Sequence, residues 1–180
     1  MYKRQIVNRG KTIFICDTSV IEYPDASQLA AMASSAARVV RLFGFDPKVA
    51  FLSHSTFGQP LTDRTKRISD AVKILKDKNV DFKFDGEMQP DVALEEMYRD
   101  LYPFSEIVGD SNVLIMPRQH SAAISYKMIK SMSRAKVIGP LLIGLGLPIE
   151  IAPLRSSTSD ILNLASIAAY SADVIDYKKN

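Results

Sequence analysis

Short apolar runs suited to β-strands alternate along this chain with segments of helical period. Val49–Leu52 is an all-apolar run of four residues, which suits a strand buried on both faces. Between residues 29 and 43 the apolar side chains recur at spacings of three and four, as on one face of a helix. Because strands that alternate with amphipathic helices form parallel sheets, we expect a three-layer α/β domain built on a parallel sheet.

The same patterns predict the individual elements. We expect strands at residues 12–16, 49–52, 82–84 and 112–116. We expect helices from Asp25 to a C-terminal Gly44, and at residues 63–76, 91–98, 121–132 and 159–172. Residues 1–10 are polar and basic and are assigned to no element, and residues 136–151 are expected to be extended and interrupted by Gly and Pro.

Composition excludes several classes of protein. Of the 180 residues, 47% are hydrophobic and 24% are charged, which is typical of a soluble globular domain. The net charge of +3 comes from Lys and Arg residues spread along the chain, so no nucleic-acid partner is expected. The single cysteine, Cys16, lies in an apolar run and is expected in the core of a cytoplasmic protein. We expect no signal peptide, because residues 1–10 are polar and basic, and no membrane span, because Gly139 and Pro140 break the longest apolar run.

Three polar segments follow predicted strands, at residues 53–58, 85–89 and 117–120. Ligands of open α/β sheets bind outside the carboxyl ends of the strands, so these segments are expected to form a cleft. His54 is either a general base or, more simply, a hydrogen-bonded loop residue, and His120 fits the first turn of a helix. Asp85 and Glu87 are a weak metal signal that a glycine-centred turn explains equally well, so no metal is predicted.

Several blocks of sequence resemble the phosphate acetyltransferase family, in its order and spacing. They include Val49–Gly58, Asp85–Asp91, Asn112–Pro117, Tyr126–Lys127 and Gly139–Gly144. The variant with His after Ser in the first block, and Met-Pro at the end of the third, is similar to the C-terminal region of large bacterial NADP-dependent malic enzymes.

The resemblance implies part of a fold similar to isocitrate and isopropylmalate dehydrogenases, with coenzyme A and acyl phosphate bound between two domains. Residues 1–141 would form the second domain, and residues 142–180 would return to a first domain that is otherwise missing. No cofactor is expected in this chain. Acetyl-CoA or CoA is a possible effector, and NADP and a divalent metal would bind only in the absent malic-enzyme region.

One departure from the family affects catalysis. The family's catalytic Ser and Arg positions are held by Pro153 and Leu154, although the family's Asp is kept as Asp160. Ala123 replaces the family's Asn, and Arg155 lies one position from the lost Arg, so a local shift in alignment could restore that charge. No catalytic residue is therefore assigned. The ligand-binding candidates are Ser53, His54, Ser55, Thr56, Asp85, Glu87, Gln89, Tyr126, Lys127 and Arg155.

The sequence favours a non-catalytic module of a malic enzyme that senses acyl-CoA and promotes assembly. Its expected partners are further copies of itself, the remainder of the malic-enzyme polypeptide and an acyl-CoA. Two alternatives stay open: an acyltransferase that keeps activity with altered residues, and the remnant of a split gene.

Overall fold

The computed structural model describes residues 2–8, 11–17, 19–133, 135–142 and 147–176. The strands are β1 (Tyr2–Asn8), β2 (Lys11–Cys16), β3 (Lys48–Leu52), β4 (Lys83–Met88), β5 (Val113–Ile115) and β6 (Lys136–Leu142). The helices are α1 (Ala26–Leu42), α2 (Asp63–Asp77), α3 (Pro90–Leu94), α4 (Gln119–Met132) and α5 (Thr158–Asp176), with a 3₁₀ helix at Glu96–Leu101. No helix in these ranges is long and apolar enough to cross a membrane.

The six strands form one mostly parallel sheet in the order β4-β3-β5-β2-β1-β6. Strands β4, β3, β5 and β2 are parallel, which confirms the predicted α/β class. Strand β1 is antiparallel to both β2 and β6. The sheet is therefore mixed at one end, where the sequence had predicted only parallel strands.

The sequence assigned residues 1–10 to no element, which was wrong, because Tyr2–Asn8 form β1. Two cations, Lys3 and Arg4, interrupt the apolar pattern of this strand. Lys3 is fully buried, and its Nζ donates a hydrogen bond of 2.9 Å to the carbonyl oxygen of Ala36 in α1. On the opposite face, the guanidinium of Arg4 lies 3.9 Å from the ring centre of Tyr126 in α4. Both faces of β1 are thus covered; Ile6 is buried as well, but two of the covered positions of the strand carry cations.

Two hydrophobic cores pack against the two faces of the sheet. One contains apolar residues of α1 and α2 against Phe14, Phe51 and Ile115. The other contains residues of α3 and α4 against Leu52 and Leu114. The order helix, sheet, helix gives the expected three layers.

Helix α1 begins and ends as its sequence predicts. The carboxylate of Asp25 accepts from the backbone N–H of Gln28, whose side chain accepts from the N–H of Asp25, and this pair forms a capping box. At the other end Gly44 has a φ of +80°, the left-handed conformation that ends many helices.

Two predicted boundaries were wrong near β4. Residues 85–88 were expected in a loop but continue β4, with Met88 paired to Leu52. Gly86 permits this close pairing, because a Cβ there would lie 2.8 Å from the backbone oxygen of Phe51. The helix expected over residues 91–98 is divided at Glu95, which has extended dihedral angles between α3 and the 3₁₀ helix.

Helix α5 contacts β6 and the end of α1, where the Tyr170 hydroxyl donates to the carbonyl oxygen of Leu42. Much of its apolar surface is exposed: Ile161, Leu162 and Tyr170 are each at least half accessible to solvent. A helix with apolar residues on several faces usually packs inside a larger body.

Candidate functional site

Three neighbouring parallel strands, β4, β3 and β5, end at the same edge of the sheet. The polar residues 53–58, the end of β4 and residues 117–120 therefore meet there. The connections then diverge, because α2 follows β3 onto one face of the sheet and α4 follows β5 onto the other. Adjacent strands whose connections leave in opposite directions create a crevice, the usual ligand position in such sheets.

A cleft of about 400 Å³ occupies this crevice between β3 and β5. Its lining residues come from the ends of both strands, from α2, from α4 and from the start of α3. They are Leu52, Ser53, His54, Arg64, Arg67, Ile68, Pro90, Met116, Pro117, Arg118, Ser121 and Ser125.

The loop that carries His54 is anchored from below by a buried carboxylate. Glu87 is 1% exposed, and its Oε1 accepts from the Ser55 hydroxyl at 3.1 Å and from the Gly58 N–H at 2.6 Å. The hydroxyl of Thr56 accepts from the N–H of Gln89 at 3.2 Å. These hydrogen bonds tie residues 55–58 to the end of β4.

Of the ligand-binding candidates, only Ser53 and His54 line the cleft. Ser55, Thr56 and Glu87 are buried instead: the Ser55 hydroxyl donates to the Glu87 carboxyl, and the Thr56 hydroxyl accepts from the N–H of Gln89. Their place in the structure explains them as supports of the cleft wall.

The other candidates on β4 and α4 lie elsewhere. Asp85 lines a separate surface pocket beside Phe84, and Gln89 is exposed at the N-cap of α3. Tyr126 is buried under Arg4, while Lys127 is exposed on α4. In the described part of the chain no three His, Cys, Asp or Glu side chains are grouped as metal ligands would be.

The segment at residues 153–155, where the sequence predicted that catalytic residues are lost, is an exposed turn. Pro153, Leu154 and Arg155 are all exposed, and the carbonyl oxygen of Pro153 accepts from the Ser156 N–H and hydroxyl. None of these residues lines the cleft.

The retained Asp160 has a structural role at the start of α5. Its carboxylate accepts from the N–H and hydroxyl of Ser157 at 3.0 and 2.8 Å, and the Ser157 hydroxyl accepts from the Asp160 N–H. These hydrogen bonds lower the pKa of Asp160. The pair forms a reciprocal helix cap, which accounts for the aspartate without a ligand.

Sequence reasoning missed the charged residues of the cleft, Arg64, Arg67 and Arg118. Arg64 and Arg67 are three residues apart in the first two turns of α2, and so share one face. Arg118 directly follows Pro117 at the end of β5. All three arginines follow strands or begin helices at the edge of the sheet where ligands bind, and this position could have indicated a role in the site. In the sequence, however, each resembles an ordinary solvated charge.

Comparisons with known proteins identify relatives of this chain. The family described as "Phosphate acetyl/butaryl transferase" matches residues 4–169. The chain is 46% identical over 164 residues to an NADP-dependent malic enzyme of Rhizobium meliloti, covering 91% of this chain and 22% of that protein. It is 35% identical over 169 residues to the phosphate acetyltransferase of Bacillus subtilis, covering 93% of this chain and 52% of that protein.

The solved structures show the same relationship. A phosphotransacetylase from Streptococcus pyogenes matches with a TM-score of 0.89 and 31% identity, covering 94% of this chain and 53% of that one. The EutD phosphotransacetylase from Staphylococcus aureus matches with a TM-score of 0.88 and 28% identity, covering 95% and 53%. The chain thus spans about a fifth to about half the length of these relatives.

Proposed function

The chain belongs to the phosphate acetyl/butaryl transferase family, and from this premise we propose that it is a non-catalytic module of an NADP-dependent malic enzyme that binds an acyl-CoA in the cleft between β3 and β5. The observation that carries this proposal is the cleft itself. It lies at the divergence of α2 and α4, and it combines an apolar floor with hydroxyl and cationic side chains.

The parent protein would supply the remaining chemistry. Oxidation and decarboxylation of malate, NADP and the divalent metal would belong to the part of the polypeptide outside this chain. Within the chain, residues 1–141 would form one domain, and residues 142–180 would complete a second. The exposed apolar side chains of α5, including Ile161 and Leu162, support that division because they lack a covering surface among the described residues.

The exposed turn at Pro153 and Leu154 supports the loss of acyl transfer. Neither side chain can donate a hydrogen bond to a developing oxyanion or pair with a phosphate. Removing one positioned donor typically lowers a rate by about 10²–10³-fold, and removing two that act together lowers it further.

A coupled assay of acetyl phosphate formation from acetyl-CoA and phosphate tests this point. We expect no turnover above the buffer background, with the Bacillus subtilis phosphate acetyltransferase as the positive control. The double change Pro153→Ser, Leu154→Arg in a longer protein that carries this chain should recover part of the activity. Turnover by the unaltered protein close to that of the positive control would contradict the proposal and favour the phosphate acetyltransferase alternative.

Acyl-CoA binding is tested separately by calorimetry with acetyl-CoA. Half of a two-walled cleft encloses only part of a ligand, so we expect weak or undetectable binding by this chain alone, and tighter binding when the rest of the domain is joined to it. The change His54→Ala should weaken binding, whereas Lys127→Ala, on α4 outside the cleft, should not. No detectable binding at several millimolar acetyl-CoA by a longer protein that contains the whole domain would refute the sensing role.

We also propose that the chain self-associates, since an exposed apolar helix such as α5 tends to find a partner. Sedimentation velocity should detect dimers or larger species at micromolar concentration. A monomer across that range would argue against assembly through α5.

A further inference from the structure

Three arginine side chains, Arg64, Arg67 and Arg118, share the cleft between β3 and β5. None of the described residues that line it is acidic. The ion pairs found within the described ranges involve other cations: Arg41, Lys48, Lys73, Lys83 and Arg99. Three positive charges therefore converge on a partly enclosed space without a paired carboxylate.

Neutral groups hold two of these arginines in place. The Nη2 of Arg67 donates to the carbonyl oxygen of Pro117 at 3.1 Å, and the guanidinium of Arg118 stacks 4.5 Å from the ring centre of Tyr23. Burial and, next, the positive charge of Arg118 lower the pKa of Arg67, an effect that Asp25 partly offsets. Because a carbonyl and an aromatic ring carry no net negative charge, these contacts orient the guanidinium groups without neutralising them.

Two further features leave donor capacity unused beside the arginines. The Nε of Arg67 is buried and has no hydrogen-bond partner among the described residues. Helix α4 begins at the cleft with no side chain that caps its first turn, and Ser121 lies in that turn. An uncapped helix N-terminus favours negative charge, and here it adds to three convergent arginines.

We propose that this arginine cluster is a phosphate-binding site, which takes the dianionic terminal phosphate of the ligand. A guanidinium presents paired N–H donors that match two phosphate oxygens, and three such groups suit a dianion better than a monoanionic carboxylate. This inference deepens the proposed function. It rests on that proposal only for the identity of the molecule that carries the phosphate. Two sources share this chemistry: an acyl phosphate, or the 3′-phosphate of a coenzyme A.

Inorganic phosphate is the first probe, titrated into the full chain at low ionic strength and followed by amide chemical shifts. We expect saturable binding in the millimolar range, with shifts at the start of α4 and in the first turns of α2. Arg67→Met and Arg118→Met keep the aliphatic stem and remove the donors, and each should weaken binding by about tenfold or more. Lys66→Met is the matched control, because it removes the same charge from α2 at an exposed position outside the cleft. It should change the affinity by less than about twofold.

Competition then separates the two sources. If the site takes the 3′-phosphate, coenzyme A should displace phosphate about tenfold more effectively than 3′-dephospho-coenzyme A, and Arg118→Met should remove that difference. If it takes an acyl phosphate, acetyl phosphate should compete, and the two coenzymes should be equivalent.

The outcomes distinguish this inference from the proposed function. Acetyl-CoA binding combined with phosphate binding that is unaffected by Arg67→Met and Arg118→Met would overturn the phosphate site and leave the sensing role intact. Arginine-dependent phosphate binding without any acetyl-CoA binding would support the site and refute the sensing role. Phosphate affinity that is equal in all variants, or absent, would overturn the inference directly, provided that circular dichroism shows each variant folded.

Discussion

Replacing Lys3 with methionine is expected to stabilise the protein at pH 7, because the wild-type fold must hold a charged amine where no water reaches it. Lys3 is fully buried between β1 and α1, with one carbonyl oxygen as its hydrogen-bond acceptor. Burial lowers the pKa of Lys3 from 10.5 to about 8. Methionine has a similar length and no charge, so it fills the same space.

The magnitude follows from the difference between the two pKa values. A shift of about 2.5 units corresponds to about 3 kcal/mol of folding free energy that is lost when the amine is protonated. Loss of the hydrogen bond to Ala36 offsets about 1 kcal/mol of the gain. We therefore expect Lys3→Met to raise the free energy of unfolding at pH 7 by about 2 kcal/mol, or the midpoint of thermal unfolding by about 4–8 °C.

The sign of the pH dependence gives a second measurement. Between about pH 8 and 10.5 the unfolded chain binds this proton more tightly than the folded chain, so stability rises with pH across that window. Cys16 acts in the opposite sense between about pH 9 and 11, because burial raises its pKa from 9.0 to about 11. From pH 7 to 9 the lysine dominates, and the wild type should gain about 1 kcal/mol.

Urea unfolding at pH 7, 8 and 9 compares the wild type, Lys3→Met and Lys11→Met. Lys11 is the matched control, because it is exposed on the neighbouring strand. The rise with pH should persist in Lys11→Met and disappear in Lys3→Met. A Lys3→Met variant less stable than the wild type at pH 7, or with an unchanged pH slope, would refute the reasoning.

Two further predictions concern Gly86 and Glu150. Gly86→Ala should lower the free energy of unfolding by about 2–4 kcal/mol, since the new Cβ would meet Phe51 at 2.8–2.9 Å at a φ of +146°. The control is Gly44→Ala, which has open space and only an unfavourable φ of +80°, and which should lower it by about 1 kcal/mol. Equal losses of the two variants in urea unfolding would contradict the steric argument. Burial raises the pKa of Glu150 from 4.5 to about 7, so the folded chain binds this proton more tightly and its stability should fall as the pH rises from about 4.5 to 7. Glu150→Gln should reduce this fall of stability with pH, measured as the midpoint of thermal unfolding, whereas the exposed Glu22→Gln should not. If the midpoint falls equally with pH in the wild type and both variants, the fall does not come from Glu150.

The parallel half of the sheet and its helices could be predicted because their apolar side chains repeat with regular periods. Strand β1 could not, since Lys3 and Arg4 interrupt its apolar pattern, and the burial of these two side chains depends on partners in α1 and α4. The end of β4 was missed for a related reason. Glu87 resembles a turn residue until the loop above it supplies donors to its carboxylate.

The candidate site divides in the same way. The edge of the sheet could be located from the order of strands and polar loops, and His54 lies there as expected. The arginines of α2 could not be distinguished from solvated charges, because only the packing of α2 against the sheet brings Arg67 to Pro117. Local pattern therefore predicted the position of the cleft, and long-range packing decided its charge.

The double pairing of β1 affects how the chain acquires its structure during synthesis. Its hairpin with β2 needs only the first sixteen residues, whereas its other edge pairs with β6, at positions as far apart in the chain as Tyr2 and Leu142. Pairings between such distant residues form late in folding. Until β6 emerges, the open edge of β1 presents unpaired N–H and C=O groups to other nascent chains, which promotes aggregation. N-terminal fragments that end before Lys136 should therefore be far less soluble than the complete chain.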